Sequence, residues 1–441
     1  MIKLINSLIS DNRRVLILGF GREGRSTYRF LRNHFPMLLL RIADVNPDIS
    51  NEAEILNDDR VELFLGDGYL DNLNNFDVII KSPGVNIGNR DSKLIGKITS
   101  QTDLFLQFYS QQVIGVTGTK GKSTTVSLIR HFLISAGKKV LLIGNIGVPA
   151  FDMIDKIEKE TIVVYELSAH QLEYLSSSPH IAVLLNLFPE HLDYFNSYND
   201  YCRAKFNIYK FQKNDDCLII HESLLKDQDL PESTGYGRVG KGNNKNRIIE
   251  FNDNSAKYKI QNSPLSGKHN LRNINAALLA VNEVGVRMED AIISMESFKS
   301  LPHRLENIGE FDGIIFINDS ISTVPESTIA AVEAINNVDT LILGGYDRGL
   351  NYTDMIEFLR TSSINNFIFL GKAGDRMFDD FGEENSKFLF KANSIESAFE
   401  IIVQKTAKGG VCLLSPAAAS YDQFHNFEHR GDTFRALALK L

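Results

Sequence analysis

The sequence is poor in cysteine and has no long apolar run. Its three cysteines, Cys202, Cys217 and Cys412, lie far apart and are odd in number, so they predict no disulfide framework. No apolar segment reaches the roughly 18 residues that a membrane helix needs. The apolar run near the N-terminus is too short, and too interrupted by charged residues, to be a signal peptide. We therefore expect a cytoplasmic protein with no membrane insertion.

An excess of positive charge is also missing. The chain has 47 lysines and arginines against 55 aspartates and glutamates, a formal net charge of -8. A general nucleic-acid binder would be expected to carry a basic stripe, so we predict no nucleic-acid partner. If the substrates are anionic, local glycine loops and a few basic residues must hold them against the overall charge.

Length and patterning indicate several α/β domains. At 441 residues, with 43% hydrophobic and 23% charged residues, the chain is typical of a soluble globular protein of two or three domains. Short apolar runs alternate with helix-like stretches, which predicts mostly parallel sheets. We predict a Rossmann-like domain over residues 1–108 and a P-loop ATPase-type parallel sheet over 109–301. A second Rossmann-like domain is predicted over 302–441.

The first glycine motif follows the strand RVLIL. Gly19, Gly21 and Gly24 have the G-x-G-x-x-G spacing of a dinucleotide-binding loop, and Asp44 ends the next strand at the distance of a ribose-binding acid. This motif raises one alternative, an NAD(P)-dependent oxidoreductase. A lone G-x-G-x-x-G is weak support, and a second nucleotide loop downstream is hard to place in a simple dehydrogenase.

That second loop is the stretch GVTGTKGKSTT, between a strand and a predicted helix that begins at Lys122. It departs from G-x-x-x-x-G-K-[ST] because Val116 occupies the first glycine position. Gly118 and Gly121 can still turn backbone N–H groups toward phosphates. Lys122 would neutralise phosphate charge and Ser123 would bind Mg²⁺. We interpret the loop as an ATP site, the alternative being a plain turn between strand and helix.

Polar residues recur just past the C-terminal ends of predicted strands, where open parallel sheets bind ligands. They are Lys122, Asn145, Glu166, His191, Asp319, Arg348 and Ser420. Glu166 ends an apolar strand beside the phosphate loop, the usual place for a Mg²⁺ ligand, although a surface glutamate is the alternative. Ser168 either faces the same crevice or caps a helix.

One lysine is out of place. If the segment DYCRAKFNIYKF forms a helix, Lys205 shares an apolar face with Tyr201, Ala204 and Ile208. Its amine could extend along the face to reach water. Alternatively, Lys205 is a functional lysine, and its burial keeps the amine neutral.

Over essentially the whole chain, these motifs resemble those of the Mur ligase family. The family loop is similar to G-T-x-G-K-[ST], which explains the missing first glycine. In the expected order follow GNIG, ELSAHQLE, EHLD, GKHNLRN, PHRLE, NDS and SPAAASYDQFHNFEHRG. ELSAHQLE and the last motif resemble the D-glutamate-adding branch. The D-N-P-R signature of the branch that adds the diamino acid is absent from the sequence.

The resemblance implies a three-domain, ATP-dependent amide ligase. It would add D-glutamate to UDP-N-acetylmuramoyl-L-alanine through an acyl phosphate, in peptidoglycan precursor synthesis. Mg²⁺ at two sites and a CO₂-derived carbamate on Lys205 would take part, and we expect a monomer. The N-terminal domain would then hold UDP rather than NAD.

The resemblance also implies a role for each matched residue. The catalytic set would be Lys122, Glu166, His191 and Lys205, and the metal ligands Ser123, Glu166, His191 and carbamylated Lys205. ATP would contact Gly118, Thr119, Lys120, Gly121, Lys122, Ser123, Thr124, Asn270, Asn273, Arg304 and Asp319. The UDP-linked substrate would contact Gly21, Arg22, Asp44, Asn145 and Ser168. D-Glutamate would contact Thr323, Arg348, Ser420 and Phe427.

Two departures and two further alternatives accompany this assignment. Ile321 stands where the family often has lysine, and Arg348 replaces another frequent lysine but can grip a carboxylate with two hydrogen bonds. A sister ligase, adding L-alanine or extending folate with glutamate, would share the phosphate loop but not SPAAASYDQFHNF. A non-catalytic nucleotide-binding regulator is disfavoured by the complete set of predicted catalytic residues.

Overall fold

The computed structural model describes residues 1–9, 13–88, 92–144, 148–226, 247–252, 265, 268–299, 301–382 and 387–441. This described chain divides into two compact units. The larger comprises Met1–Gln261 and His269–Glu296, and the smaller comprises Asn262–Lys268 and Ser297–Leu441. Among the helices described, none is both long and apolar enough to cross a membrane.

The first sheet belongs to the larger unit. Its strands are β1 (Val15–Leu18), β2 (Leu40–Asp44), β3 (Val61–Leu65), β4 (Val78–Lys81) and β5 (Ile98–Thr99). Its helices are α1 (Ile2–Ile9), α2 (Arg22–His34), α3 (Ala53–Leu56), α4 (Ser92–Ile95) and α5 (Gln101–Tyr109). The strands pair in parallel in the order β3-β2-β1-β4-β5, and β1 and β4 are wholly buried because helices cover both faces.

The second sheet also belongs to the larger unit. Its strands are β6 (Val113–Thr117), β7 (Val140–Gly144), β8 (Ile162–Glu166), β9 (Ile181–Leu184), β10 (Cys217–His221) and β11 (Arg247–Phe251). Its helices are α6 (Lys122–Ser135), α7 (Ala169–Leu172), α8 (Tyr198–Lys210), α9 (Ser223–Lys226), α10 (Lys268–Asn282) and α11 (Met288–Ser294). The order is β11-β10-β9-β6-β8-β7, all parallel. The buried β6 therefore lies between β9 and β8, and its end carries the phosphate loop.

The third sheet fills the smaller unit. Its strands are β12 (Glu306–Phe311), β13 (Ile314–Asn318), β14 (Val338–Gly344), β15 (Asn366–Leu370), β16 (Phe388–Ala392) and β17 (Val411–Leu414). Its helices are α12 (Pro325–Ala334), α13 (Thr353–Thr361), α14 (Gly371–Phe381), α15 (Ile395–Lys405) and α16 (Phe427–Ala438). The order is β12-β13-β17-β14-β15-β16, and β12 runs antiparallel to β13 at the edge.

The predicted α/β class with largely parallel sheets is confirmed. All seven residues of β14 are buried, as expected for a central strand covered on both faces. The exception is the antiparallel edge strand β12, which a short turn at Asp312 and Gly313 connects to β13; both residues have positive φ. The predicted boundaries near residues 109 and 301 stay predictions.

Candidate active site

The first glycine loop connects β1 to α2. Gly19 has φ +88°, and a Cβ on Gly24 would lie 2.1 Å from the Gly19 carbonyl oxygen, so the loop packs tightly against the helix. The Phe20 N–H donates to Asp44 Oδ2 at 2.6 Å, and the Asn46 N–H donates to Asp44 Oδ1 at 2.8 Å. The Asp44 carboxylate therefore fixes the loop as well as facing the space beside it.

A cleft of about 390 Å³ opens beside this loop, and we call it the first cleft. Its walls include the predicted residues Gly21, Arg22, Asp44 and Ser168. It is lined as well by Gly19, Glu23, Val45, Tyr69, Ser82, Pro83, Gly84, Val85, Gly144, Pro149 and Gln171. Four of the five residues assigned to the UDP-linked substrate thus lie around one space. The fifth, Asn145, lies outside the described residues.

The phosphate loop follows β6 as the sequence predicts. Gly118 has φ +156°, and Gly121, in the left-handed region at φ +86°, precedes α6. A Cβ on Gly121 would lie 2.2 Å from Asn273 Oδ1, so only glycine fits there. The Lys122 amine donates to the carbonyls of Gly118 at 3.0 Å and Thr119 at 2.9 Å. It therefore lies over the loop, where a phosphate-binding lysine is required.

Asn186 holds the loop in shape from the end of β9. Its Oδ1 accepts from the Lys120 N–H at 2.8 Å, and its Nδ2 donates to the Lys120 carbonyl at 2.9 Å. The Asn186 carbonyl accepts from the Thr119 N–H at 3.0 Å. Thr119 is only 3% exposed, and its hydroxyl also contacts the Tyr201 hydroxyl at 2.9 Å. Thr119 thus anchors the loop, whichever contact it makes with a nucleotide.

A second cleft of about 290 Å³ lies beside the phosphate loop. It is lined by Pro83, Gly84, Lys122, Ser168, Ala169, His170, Glu190, His191, Tyr201 and Lys205. Three of the four predicted catalytic residues, Lys122, His191 and Lys205, therefore face one space. Glu166 is fully buried and pairs with Val116 in the β6–β8 register, next to the start of the loop.

Lys205 is buried on α8, with 1% of the residue exposed. Its amine donates to the Gly118 carbonyl at 2.8 Å and to Thr117 Oγ1 at 3.3 Å, so it does not extend to water. The Gly118 carbonyl therefore accepts from two lysine amines, those of Lys122 and Lys205. Burial, and then the positive charge of Lys122, hold the pKa of Lys205 well below its usual range. The amine is thus biased toward its neutral form.

Two histidines lie side by side in the second cleft. The ring centroids of His170 and His191 are 4.9 Å apart. Burial, followed by the charge of His191, lowers the pKa of His170 to about 4, and burial also lowers the pKa of His191. Both imidazoles are therefore neutral near pH 7 and keep a ring nitrogen that can accept a hydrogen bond or bind a metal. His191 has φ +58°, an uncommon backbone conformation for a residue other than glycine.

Ser168 has both of the roles that the sequence left open, since it caps a helix and faces the cleft. Its hydroxyl caps α7 by accepting from the Gln171 N–H at 3.3 Å, and the Gln171 side chain accepts from the Ser168 N–H at 2.9 Å. This is a capping box. Ser168 also lines both clefts.

The remaining residues that the sequence predicts to bind the nucleotide are Asn270, Asn273, Arg304 and Asp319. Asn270 and Asn273 lie on α10, 5% and 3% exposed, with Asn273 Nδ2 donating to Asn270 Oδ1 at 3.2 Å. Asn273 packs against Gly121 of the phosphate loop. Arg304 and Asp319 belong to the smaller unit. Burial raises the pKa of Asp319 to about 6, although Ser415 and the Leu305 N–H donate to its carboxylate.

The residues assigned to D-glutamate all lie in the smaller unit. The exposed Arg348 donates from Nη2 to the Thr323 carbonyl at 2.8 Å. Ser420 is 2% exposed, and Phe427 is the first residue of α16. The Ser320 hydroxyl donates to the Phe427 carbonyl at 2.8 Å, which joins the start of α16 to the loop after β13.

Sequence reasoning missed several residues that shape these sites. The buried Arg430 donates to Ser320 and to the carbonyls of Ala418 and Ala419, so it supports the loop that carries Ser420. Asn186 and Glu190 were overlooked too, although Glu190 adjoins His191 in the quoted motif EHLD and forms an ion pair with Lys120 at 2.7 Å. Arg430 lies about one turn into α16 on its buried face, and a buried guanidinium needs acceptors.

We compared the chain with known proteins. A model of the Mur ligase middle domain matches residues 116–281. The UDP-N-acetylmuramoylalanine–D-glutamate ligase of Clostridium tetani is 32% identical over 98% of this chain and 97% of that protein. The enzyme of that name from Listeria monocytogenes serotype 4b is 32% identical over 96% of this chain and 95% of its own.

Solved structures with the same fold were found as well. MurF from Thermotoga maritima in complex with ADP aligns with a TM-score of 0.58 at 18% identity, over 97% of this chain and 95% of its own. MurF from Acinetobacter baumannii aligns with a TM-score of 0.60 at 17% identity, over 89% of this chain and 88% of its own. At this identity the likeness concerns the fold alone.

Proposed function

We propose, from the premise that this chain belongs to the Mur ligase family, that it uses ATP to join D-glutamate to UDP-N-acetylmuramoyl-L-alanine. Membership rests on relatives more than 30% identical over nearly the whole chain, and their shared name supplies the substrates. One observation carries the proposal. The second cleft collects the phosphate-loop lysine, His191 and a buried lysine with a depressed pKa around one space.

The proposed chemistry overcomes a poor leaving group. The alanyl carboxylate attacks the γ-phosphorus of ATP, the bond to the β–γ bridging oxygen breaks, and ADP leaves. The resulting acyl phosphate is attacked at its carbonyl carbon by the D-glutamate amine. The tetrahedral intermediate then loses phosphate, and the amine loses a proton, to give the amide.

Charge stabilisation is the main task of the phosphate loop in this scheme. A carboxylate and a triphosphate repel each other when they meet, so the transition state needs fixed positive charge. The Lys122 amine donates to the carbonyls of Gly118 and Thr119 and would exchange these bonds for phosphate oxygens when ATP binds. Backbone N–H groups at the start of α6 add to this charge.

The side chains beside the loop fit Mg²⁺. Mg²⁺ is usually held by one or two carboxylates together with substrate phosphates and water. Ser123, Glu166 and His191 supply oxygen and neutral nitrogen donors near the loop. In the described part of the chain, groups of three or more His, Cys, Asp or Glu arranged for a metal are absent, and a phosphate-held ion does not need one. When bound, Mg²⁺ would offset phosphate charge at two sites.

Besides Mg²⁺, the surroundings of Lys205 fit a carbamate on its amine. CO₂ adds only to a neutral amine, and burial biases Lys205 toward that form. A carbamate would turn a buried amine into an anionic metal ligand beside His191. The observation that supports it is the amine itself, which is almost fully buried at the wall of the second cleft and lies 2.8 Å from the Gly118 carbonyl.

The two other substrates are assigned by position. We propose the first cleft for the UDP-linked substrate, because Gly21, Arg22 and Asp44 line it and Ser168 joins it to the second cleft. For D-glutamate we propose Arg348 with Thr323, Ser420 and Phe427 in the smaller unit, since a guanidinium can grip a carboxylate with two hydrogen bonds. Peptidoglycan precursor synthesis in the cytoplasm is the cellular role that goes with these substrates.

One assay tests the function. Phosphate release from ATP is measured with UDP-N-acetylmuramoyl-L-alanine and a panel of D- and L-amino acids. We expect release that depends on D-glutamate and on the UDP-linked substrate together. Release that depends on another amino acid of the panel instead of D-glutamate would assign a sister ligase. A change in NAD(P)H absorbance without any need for ATP would assign an oxidoreductase.

A further inference from the structure

Glu23 has an unusual position in the wall of the first cleft. It lies in the first turn of α2, two residues after Gly21, and lines the cleft. Its Oε1 accepts from Gln171 Nε2 at 2.7 Å. Its other oxygen, Oε2, is sealed from solvent and has no hydrogen-bond partner among the described residues. A buried carboxylate oxygen without a partner is costly in the ionised state and needs an explanation.

Glu23 is linked to both clefts through a single amide. The Gln171 side chain that donates to Glu23 also accepts from the Ser168 N–H at 2.9 Å and the Ser168 hydroxyl at 3.1 Å. Ser168 caps α7 and faces both clefts. The hydrogen bond from Gln171 to Glu23 therefore fixes which way the Gln171 amide points, and with it the geometry of the Ser168 cap.

The charged and titratable groups that act on Glu23 come from three elements. Arg22 on α2 and Lys81 at the end of β4 stabilise its ionised form, and the neutral Tyr165 of β8 lies near enough for the two groups to influence each other. Burial outweighs these effects, so the pKa of Glu23 is raised to about 7. The carboxyl group therefore exchanges its proton near neutral pH.

We propose that Glu23 is a positioning residue of the first cleft, and that it must carry a proton when the anionic nucleotide substrate binds. The inference rests on the proposed function, since it assumes that a UDP-linked substrate occupies this cleft. A neutral carboxyl removes the cost of an unpartnered anionic oxygen at Oε2 and keeps its hydrogen bond from Gln171. An ionised one adds a negative charge next to an incoming diphosphate and leaves Oε2 unsatisfied.

The proposal predicts a pH dependence with a definite sign. Below about pH 7 the dissociation constant of the substrate should be constant, because Glu23 is already protonated. Above that pH it should rise by up to about tenfold per pH unit, since one proton is taken up with each substrate bound. In Glu23→Gln, the amide imitates the neutral carboxyl, so binding should stay tight and lose this dependence. In Glu23→Ala, binding should weaken at every pH because Gln171 loses its acceptor.

Calorimetric titration of the full-length protein with UDP-N-acetylmuramoyl-L-alanine, in buffers of different ionisation enthalpy, measures both affinity and proton uptake. We expect the wild type to take up close to one proton above neutral pH and Glu23→Gln to take up none. Glu54→Gln, at an exposed carboxylate on α3, is the matched control and should behave as wild type. The Michaelis constant for ATP should not change in any of these variants.

The outcomes separate this inference from the proposed function. If the wild type fails to bind the UDP-linked substrate at every pH, the proposed function fails and the inference fails with it. If the wild type binds but Glu23→Gln has the same pH profile and proton uptake, the Glu23 inference alone is overturned. Wild-type affinity in Glu23→Ala across the whole pH range would overturn it as well.

Discussion

The two glycine loops of the larger unit have the same construction and opposite surroundings. Each follows a buried strand and ends on a glycine that precedes a helix, Gly21 before α2 and Gly121 before α6. The first residue of each helix is basic, Arg22 in one and Lys122 in the other. The first loop has the regular G-x-G-x-x-G spacing, whereas the second lacks the first glycine of the general phosphate-loop pattern.

Charge, rather than glycine spacing, distinguishes the two loops. Asp44 accepts a hydrogen bond from inside the first loop, and Glu23 sits in the first turn of its helix. The second loop instead has Lys122 over it and Lys120 within it, the latter paired with Glu190, while the Lys205 amine beside it is biased toward the neutral form. A triphosphate requires the second environment. The first loop therefore matches a general nucleotide-binding motif better, but its acidic surroundings suit ATP less well than those of the second loop.

The largest expected effect comes from removing the charge of the second loop. Lys122→Ala should lower the turnover number roughly a thousandfold, because a fixed charge next to the transferred phosphate is lost. Arg22→Ala, at the equivalent position of the first loop, should instead raise the Michaelis constant for the UDP-linked substrate and leave turnover close to wild type. Steady-state phosphate release measures both. Similar losses of turnover in the two variants would remove the distinction between the loops.

Lys205→Ala should come next, with a loss of about a hundredfold or more in turnover, because the proposed carbamate then has no amine to form on. High bicarbonate should not restore activity, whereas a short carboxylic acid should restore some by occupying the space of the lost group. Wild-type enzyme depleted of CO₂ should recover when bicarbonate is added. Full activity of Lys205→Ala would rule out the carbamate.

The glycines before the two helices should differ in stability. Gly121→Ala places a Cβ 2.2 Å from Asn273 Oδ1 at φ +86°, so we expect a loss of about 3 kcal/mol in the free energy of unfolding. Gly21→Ala meets nothing within 4 Å and has negative φ, so its loss should stay below about 1 kcal/mol. Urea unfolding followed by circular dichroism measures both. Equal losses would show that the loops tolerate a side chain alike.

Glu23, the buried acid beside the first loop, should make the free energy of unfolding depend on pH. The pKa of Glu23 is about 7 in the folded protein, above its ordinary value of 4.5. The folded state thus binds this proton more tightly than the unfolded state does, which raises the free energy of unfolding. The contribution is complete below about pH 4.5 and is lost as the pH rises to about 7. Relative to Glu23→Gln, the wild type should lose about 3 kcal/mol of unfolding free energy as the pH rises through that range. Parallel unfolding curves for the two proteins would contradict the raised pKa.

Asp44→Asn should have the smallest effect. Asparagine keeps one acceptor for the N–H groups of Phe20 and Asn46 but turns the other oxygen into a donor, which costs about 1 kcal/mol. We expect the Michaelis constant for the UDP-linked substrate to rise several-fold and that for ATP to stay unchanged. An equal rise in both constants would mean that the first loop also serves ATP.

Most of the fold and part of the site could be predicted from local patterns. The short apolar runs became parallel strands, and Lys205 stood out because a charged residue interrupted the apolar face of a helix. The antiparallel β12 was missed because its sequence ENIGEF lacks an apolar core, being only half-buried at a sheet edge. Contacts such as Gln171 to Glu23 and Arg430 to Ser320 join residues more than 100 positions apart. No local periodicity reports such pairs.

The Gly118 carbonyl, which accepts from both Lys122 and Lys205, couples the two side chains to each other. Two charged amines on one oxygen repel each other, and the charge of Lys122 lowers the pKa of Lys205. A substitution at Lys122 therefore also changes the surroundings of the Lys205 amine, and a substitution at Lys205 changes those of Lys122. The two lysines therefore behave as one coupled unit, although more than 80 residues of the chain separate them.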